Sequence, residues 1–105
     1  MVLEINASNF DTEVTSQAGI TVVDFFANWC GPCRKLAPLL EEVETELSSK
    51  VKFAKINTDE NIEMAKKYQV SGLPTLMVFK NGEPVERLVG LMPKSSIITN
   101  IEKHI

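Results

Sequence analysis

Hydrophobic residues in this chain switch between two spacings. Ile20 to Ala27 is a continuous β-branched and aromatic run carrying one charge, Asp24. A run of that kind, rather than an alternating one, predicts a central strand covered on both faces. From Cys33 to Leu47 the spacing changes: Leu36, Leu40, Val43 and Leu47 recur at helical intervals while Glu41, Glu42, Glu44 and Glu46 fill much of the rest. This predicts an amphipathic helix, kinked at the internal Pro38 because proline removes a ladder hydrogen bond and clashes with the preceding turn. Val51 to Asn57 reads as a strand, Asn61 to Tyr68 as a short helix and Thr75 to Lys80 as another strand. Asn81-Gly82 is a strong hairpin signal, joining that strand to Val85 through Val89 as an antiparallel pair. At the ends, Leu3 to Ile5 reads as a short first strand, followed by a helix capped by Ser8 or Asn9 and running to Ser16, with Asp11 and Glu13 near its positive end. A last helix runs from about Lys94 to the C-terminus, burying Ile97, Ile98 and Ile101.

The resulting order, β-α-β-α-β-α-β-β-α, predicts a three-layer α/β/α fold with a central mixed sheet of about five strands and four flanking helices. At 105 residues the chain suits one domain spanning 1–105. An apolar fraction of 44% and a charged fraction of 24% are ordinary for a globular protein. The formal charge is −3, and the eleven basic residues form no stripe that could follow a phosphate backbone, which argues against nucleic acid. No stretch approaches the roughly 18 apolar residues of a membrane span. Met1 to Asn9 shows neither a basic leader nor an apolar signal segment, so the expected compartment is the cytoplasm. Thiols are kept reduced there, and the only two cysteines, Cys30 and Cys33, are poor candidates for a permanent staple.

Their placement is more informative than their number. The segment Trp29-Cys30-Gly31-Pro32-Cys33 falls where a predicted strand runs into a predicted helix, and functional groups in open α/β sheets gather beyond the carboxyl ends of strands. Cys30 would occupy the helix cap and Cys33 the first turn. There, unsatisfied N–H groups and the positive end of the helix favour a thiolate, the nucleophile of disulfide exchange. Gly31 permits a crowded backbone, and Pro32 is tolerated in a first turn with its φ already set. A zinc site would need more ligands than this pair, and the only other soft ligand is His104, next to the C-terminus. As a structural crosslink the pair closes so short a loop that it contributes only roughly 2 kcal/mol, less than longer loops give. Redox chemistry is the reading that explains the position.

Asp24 is costly to bury unless paired or neutral. Either it lies on an edge strand in water, or burial raises its pKa and makes it a proton acceptor for the second cysteine. Lys55, on the same strand face as Phe53, is its possible partner or a solvated side chain. Arg34 is a nearby cation or simply a surface residue.

The residues Val23-Asp24-Phe25, Ala27, Trp29 to Cys33, Pro38, Lys55, Asp59, Gly72-Leu73-Pro74-Thr75, Phe79, Asn81-Gly82 and Gly90 stand in an order that resembles the thioredoxin family over nearly the whole chain. That resemblance implies a protein-disulfide reductase in which Cys30 is the exposed attacking thiolate, Cys33 resolves the mixed disulfide, and Asp24 assists. It also implies a cis Pro74 beside the dithiol, where sequence alone gives only an X-Pro turn before a strand. A shallow groove for an extended client segment would be lined by Trp29, Gly31, Leu73, Pro74, Gly90 and Leu91. No bound cofactor is implied: a flavin-containing, NADPH-dependent thioredoxin reductase would restore the dithiol of a monomer. Clients would resemble ribonucleotide reductase, peroxiredoxin and methionine sulfoxide reductase. Gly31-Pro32 resembles the reducing members rather than the oxidases and isomerases of the periplasm or secretory pathway. Phe26 stands where many members carry a second tryptophan, and Leu91 where a smaller residue is common. The alternative from another class is a redox-independent protein-binding module using the groove around Trp29 and Pro74, which retained activity in Cys30→Ser would select.

Overall fold

The computed structural model describes residues 1–105. Strands β1 (Leu3–Ile5), β2 (Ile20–Phe26), β3 (Val51–Asn57), β4 (Thr75–Lys80) and β5 (Glu83–Val89) form one sheet in the order β1-β3-β2-β4-β5. The first three are mutually parallel, while β4 runs antiparallel to β2 and to β5. Helix α1 (Gly31–Leu47), α2 (Ile62–Lys67), α3 (Lys94–Glu102) and a one-turn π-helix at Asp11–Thr15 flank it.

The continuous apolar run of β2 is explained by its place at the centre, because successive side chains point to opposite faces and both faces are covered. Ile20 and Val22 join Leu36, Leu40 and Val43 of α1 and Ile97 and Ile101 of α3 in one core. Val23 and Phe25 face the other way, into a core with Phe10, Val14, Ile56 and Phe79. Tyr68 packs there too, its ring 5.3 Å from that of Phe10 and 5.4 Å from that of Phe79.

Several boundaries differ from those read in the sequence. Neither Ser8 nor Asn9 caps the first helix. The Asn9 side-chain oxygen instead accepts the Asn6 N–H at 2.8 Å and Ser8 Oγ binds Asn6 Oδ1 at 2.6 Å, so both polar side chains are spent on a local turn. The helix that follows is wound wide, with the Ser16 N–H reaching Asp11 O. Helix α1 begins at Gly31, directly after the Cys30 cap, and Pro38 lies inside it. Strand β5 begins at Glu83, two residues before Val85; its Pro84 is accommodated because β5 is an edge strand and the ladder is irregular between Val78 and Phe79. In α3, Ile97 and Ile101 are fully buried, one turn apart, while Ile98 lies off their stripe and is only partly covered.

The hairpin turn has the conformation Asn-Gly favours, with φ of 51° at Asn81 and 82° at Gly82. Gly82 also lies against the π-helix, where an added Cβ would fall 2.1 Å from the Thr15 carbonyl oxygen. Gly82→Ala therefore combines a positive φ with a backbone collision, and its unfolding midpoint in denaturant should correspond to a loss of at least about 2 kcal/mol. An unchanged midpoint would show that the hairpin can move away from Thr15 freely.

Candidate active site

Strand β2 ends at Phe26, and the turn from Ala27 to Cys30 delivers the chain to the start of α1. Cys30 is the N-cap in extended conformation, and its Sγ accepts the Cys33 N–H at 3.2 Å. A first-turn donor of the helix thus points at the Cys30 sulfur. Pro32, with no N–H to leave unsatisfied, fills the turn between them. Cys30 and Cys33 are joined as a disulfide with Cα atoms 5.2 Å apart.

Two expectations about this segment are corrected. Cys30 is not the exposed member of the pair: both cysteines are 3% exposed in the disulfide, clustered with Ala27 and covered by Phe26 and Leu73. Gly31 is not crowded either, for a Cβ there would meet no atom within 4 Å. Trp29, at 69%, and Pro32 are the exposed residues of the motif.

Behind the disulfide lies Asp24. The sheet order removes the solvated-edge reading, because β2 is hydrogen-bonded on both sides and Asp24 is only 3% exposed. Burial pushes its carboxyl up from 3.8 to about 7, opposed by the positive charge of Lys55. Asp24 and Lys55 are register partners on β2 and β3. They form no ion pair, and the Lys55 ammonium stands 6.0 Å from the centre of the Phe26 ring. Asp24 Oδ1 has no hydrogen-bond partner. A cavity of about 150 Å³ is lined by Asp24 and Cys33, with Phe26, Arg34 and Lys55 in its wall. Asp24 and Cys33 therefore line one cavity.

Some of the residues that the family resemblance implies for a client groove are brought together. The Leu73-Pro74 peptide is cis. Leu73 packs against the Ala27–Cys30–Cys33 cluster, and the Gly90 N–H donates to the Pro74 carbonyl at 2.8 Å. Leu91 follows, 44% exposed.

Two contacts here had no counterpart in the sequence reading. Trp29 Nε1 donates to Asp59 Oδ2 at 2.8 Å, and Arg34 Nη1 donates to the Asn28 carbonyl at 2.8 Å, so Arg34 braces the turn into the dithiol instead of floating in water. Asp59 lies just past the carboxyl end of β3, where the rule that places function beyond strand ends could have directed attention. No group of three or more His, Cys, Asp or Glu side chains is placed to hold a metal ion, and no helix is long and apolar enough to cross a membrane.

A mixed sheet between helices, with a Cys-Gly-Pro-Cys disulfide at a helix cap, defines a dithiol–disulfide oxidoreductase of the protein-disulfide reductase type. The comparisons with known proteins are specific. The thioredoxin family model matches residues 1–103. Thioredoxin of Staphylococcus saprophyticus subsp. saprophyticus is 44% identical over 104 residues, 99% of this chain and 98% of that protein. Those of Staphylococcus haemolyticus and Staphylococcus aureus are 42% and 41% identical over the same shares of each chain. The chain belongs to the thioredoxin family, and with it go a thioredoxin reductase as partner and disulfide-bearing proteins as clients.

Proposed function

We propose that this single-domain chain works as a monomeric reductant in the cytoplasm, carrying electrons from NADPH through a flavin-containing thioredoxin reductase to client disulfides. Clients of the kind represented by ribonucleotide reductase, peroxiredoxin and methionine sulfoxide reductase suit this role. The observation that carries the reading is the asymmetry of the pair: Cys30 Sγ receives a helix N–H at the cap, while Cys33 shares its cavity with Asp24.

In the dithiol form, the Cys30 thiolate attacks one sulfur of a client disulfide. A Cys30–client bond forms, the client S–S bond breaks, and the released client sulfur takes up a proton. Asp24, with its pKa near 7, accepts the proton of the Cys33 thiol, matched to a thiol that must ionise near neutral pH. The Cys33 thiolate then attacks Cys30 Sγ and expels the second client sulfur as a thiolate, which takes up a proton, while Asp24 gives its proton back to solvent. The client gains two electrons and the chain keeps the Cys30–Cys33 disulfide. Both electrons come from the two sulfurs, so no bound cofactor is required. Trp29, Gly31, Leu73, Pro74, Gly90 and Leu91 hold the client segment across the disulfide, and Lys55 steadies the charge that appears on Asp24.

The test is reduction of insulin disulfides with NADPH and a bacterial thioredoxin reductase, with a measurement of the reduction potential. Turnover and a potential near about −270 mV are expected; a value near about −120 mV, that of a strong oxidant, would overturn the reducing direction.

A further inference from the structure

The segment between α2 and β4 carries Leu73 and Pro74 to the dithiol, yet it has no regular structure of its own. Its beginning is a helix end of a defined kind. The Gln69 N–H bonds Lys66 O at 3.0 Å and the Val70 N–H bonds Ala65 O at 2.9 Å, the paired closure of a Schellman motif. That motif needs a left-handed residue, and Gln69 supplies it with φ of 55°. Glycine is the usual occupant because a Cβ in this region meets the following carbonyl. Something else must hold the turn.

Arg87 of β5 reaches across to it. Its Nη1 donates to the Gln69 carbonyl at 3.1 Å and its Nη2 donates to the Tyr68 carbonyl. One planar guanidinium thus satisfies two successive carbonyls at the end of α2, a fit that a single ammonium cannot reproduce. Arg87 makes no contact with a carboxylate that would compete for its donors. Further along β5 the same segment is touched twice more. A Cβ at Gly72 would lie 3.0 Å from Val89 Cγ1, and the Gly90 N–H holds the Pro74 carbonyl at 2.8 Å. The edge strand and the residue that follows it therefore splint residues 69–74 at their start, middle and end.

We propose that Arg87 is a positioning residue for the disulfide-reduction site: by clamping the left-handed turn at Gln69 it sets where Leu73 and Pro74 stand relative to Cys30. The inference rests on the reading above that Leu73 and Pro74 contact the client. Arg87 itself is exposed, and its hydrogen bonds go to the Gln69 and Tyr68 carbonyls and not to the cysteines. Loss of the clamp acts on recognition rather than on sulfur chemistry.

Steady-state reduction of insulin and of a small aromatic disulfide separates these effects. Arg87→Ala is expected to raise KM for insulin about five-fold with kcat nearly unchanged, because a loosened loop weakens binding of a segment without altering the thiols. The rate with the small disulfide, which needs only the sulfurs, should stay as in the parent. Arg87→Lys should recover part of the loss by reaching one carbonyl. Gln69→Gly added to Arg87→Ala should recover more, since glycine takes the left-handed turn without support. Val85→Ala, on an exposed position of the same strand, controls for general weakening of β5 and should leave KM unchanged. An unchanged KM in Arg87→Ala, or an equal loss on the small disulfide, overturns the proposal, as does failure of Gln69→Gly to recover anything. Leu73→Ala distinguishes the two levels of the argument. If it leaves the insulin KM unchanged, the client-contact reading falls and the Arg87 role with it. If it raises KM while Arg87→Ala does not, only the Arg87 role falls.

Discussion

Serine in place of Cys30 is expected to lower insulin-reduction turnover by about 10³-fold or more, to the background of the assay. The reason is electron supply as much as nucleophilicity. Each client disulfide takes two electrons, and in this chain they come from closing the Cys30–Cys33 bond; with one sulfur gone that bond cannot form. Cys33→Ser fails at a different point. Cys30 still sits at the α1 cap with the backbone N–H of residue 33 aimed at its sulfur, so it still attacks, but nothing resolves the mixed disulfide. A covalent adduct between Cys33→Ser and a client should accumulate on non-reducing gels, and none should form with Cys30→Ser. Adducts from Cys30→Ser instead would reverse the assignment of attacking and resolving thiols.

Removing the Asp24 carboxyl should stabilise the oxidised protein in alkaline solution while slowing its chemistry. With the folded-state pKa raised from 3.8 to about 7, holding Asp24 ionised costs the fold about 4 kcal/mol at about 1.4 kcal/mol per tenfold change in proton affinity. Well below pH 3.8 the carboxyl is protonated whether the chain is folded or not, and the group has no effect on stability. As pH rises from 4 to 7 the unfolded chain releases this proton while the folded chain keeps it, so the parent loses stability; above 7 the loss levels off. Denaturant curves for parent and Asp24→Ala should therefore diverge with pH, the variant gaining about 4 kcal/mol relative to the parent between pH 4 and pH 9. Parallel curves would mean that Asp24 is solvated or paired in the fold. In stopped-flow measurements on the same variant, resolution of the mixed disulfide should slow more than its formation, since the proton leaves Cys33 and not Cys30. This tension between stability and rate is what is expected where a buried acid is kept for catalysis.

How much of this was legible in the sequence varies by kind of feature. The central strand and α1 were readable because a continuous β-branched run and a 3.6-residue repeat both stand directly in the order of apolar positions. Asn81-Gly82 announced its hairpin for the same local reason: the turn requires positive φ at both positions. The cap of the first helix is not legible because Asn6, Ser8 and Asn9 hydrogen-bond among themselves, an outcome set by three neighbouring residues and not by any one of them. The first residue of β5 was placed late because a proline in a strand is acceptable only on an edge, and edge status belongs to the sheet.

The same division runs through the site. By itself, the sequence determined that two cysteines meet at a helix start across a Gly-Pro turn, since that outcome depends on only a few consecutive residues and on the polarity of a helix end. It could name Asp24 as anomalous but not choose between water and burial. Only the order β1-β3-β2-β4-β5, which sets β2 between two partners, decided that Asp24 is enclosed beside Cys33. Tertiary structure alone also brought Asp59 to Trp29, Arg34 to the Asn28 carbonyl and Arg87 to the end of α2. These are contacts between distant parts of the chain or between a side chain and a backbone carbonyl, and the identity of a residue says nothing about which carbonyl folding will place before it.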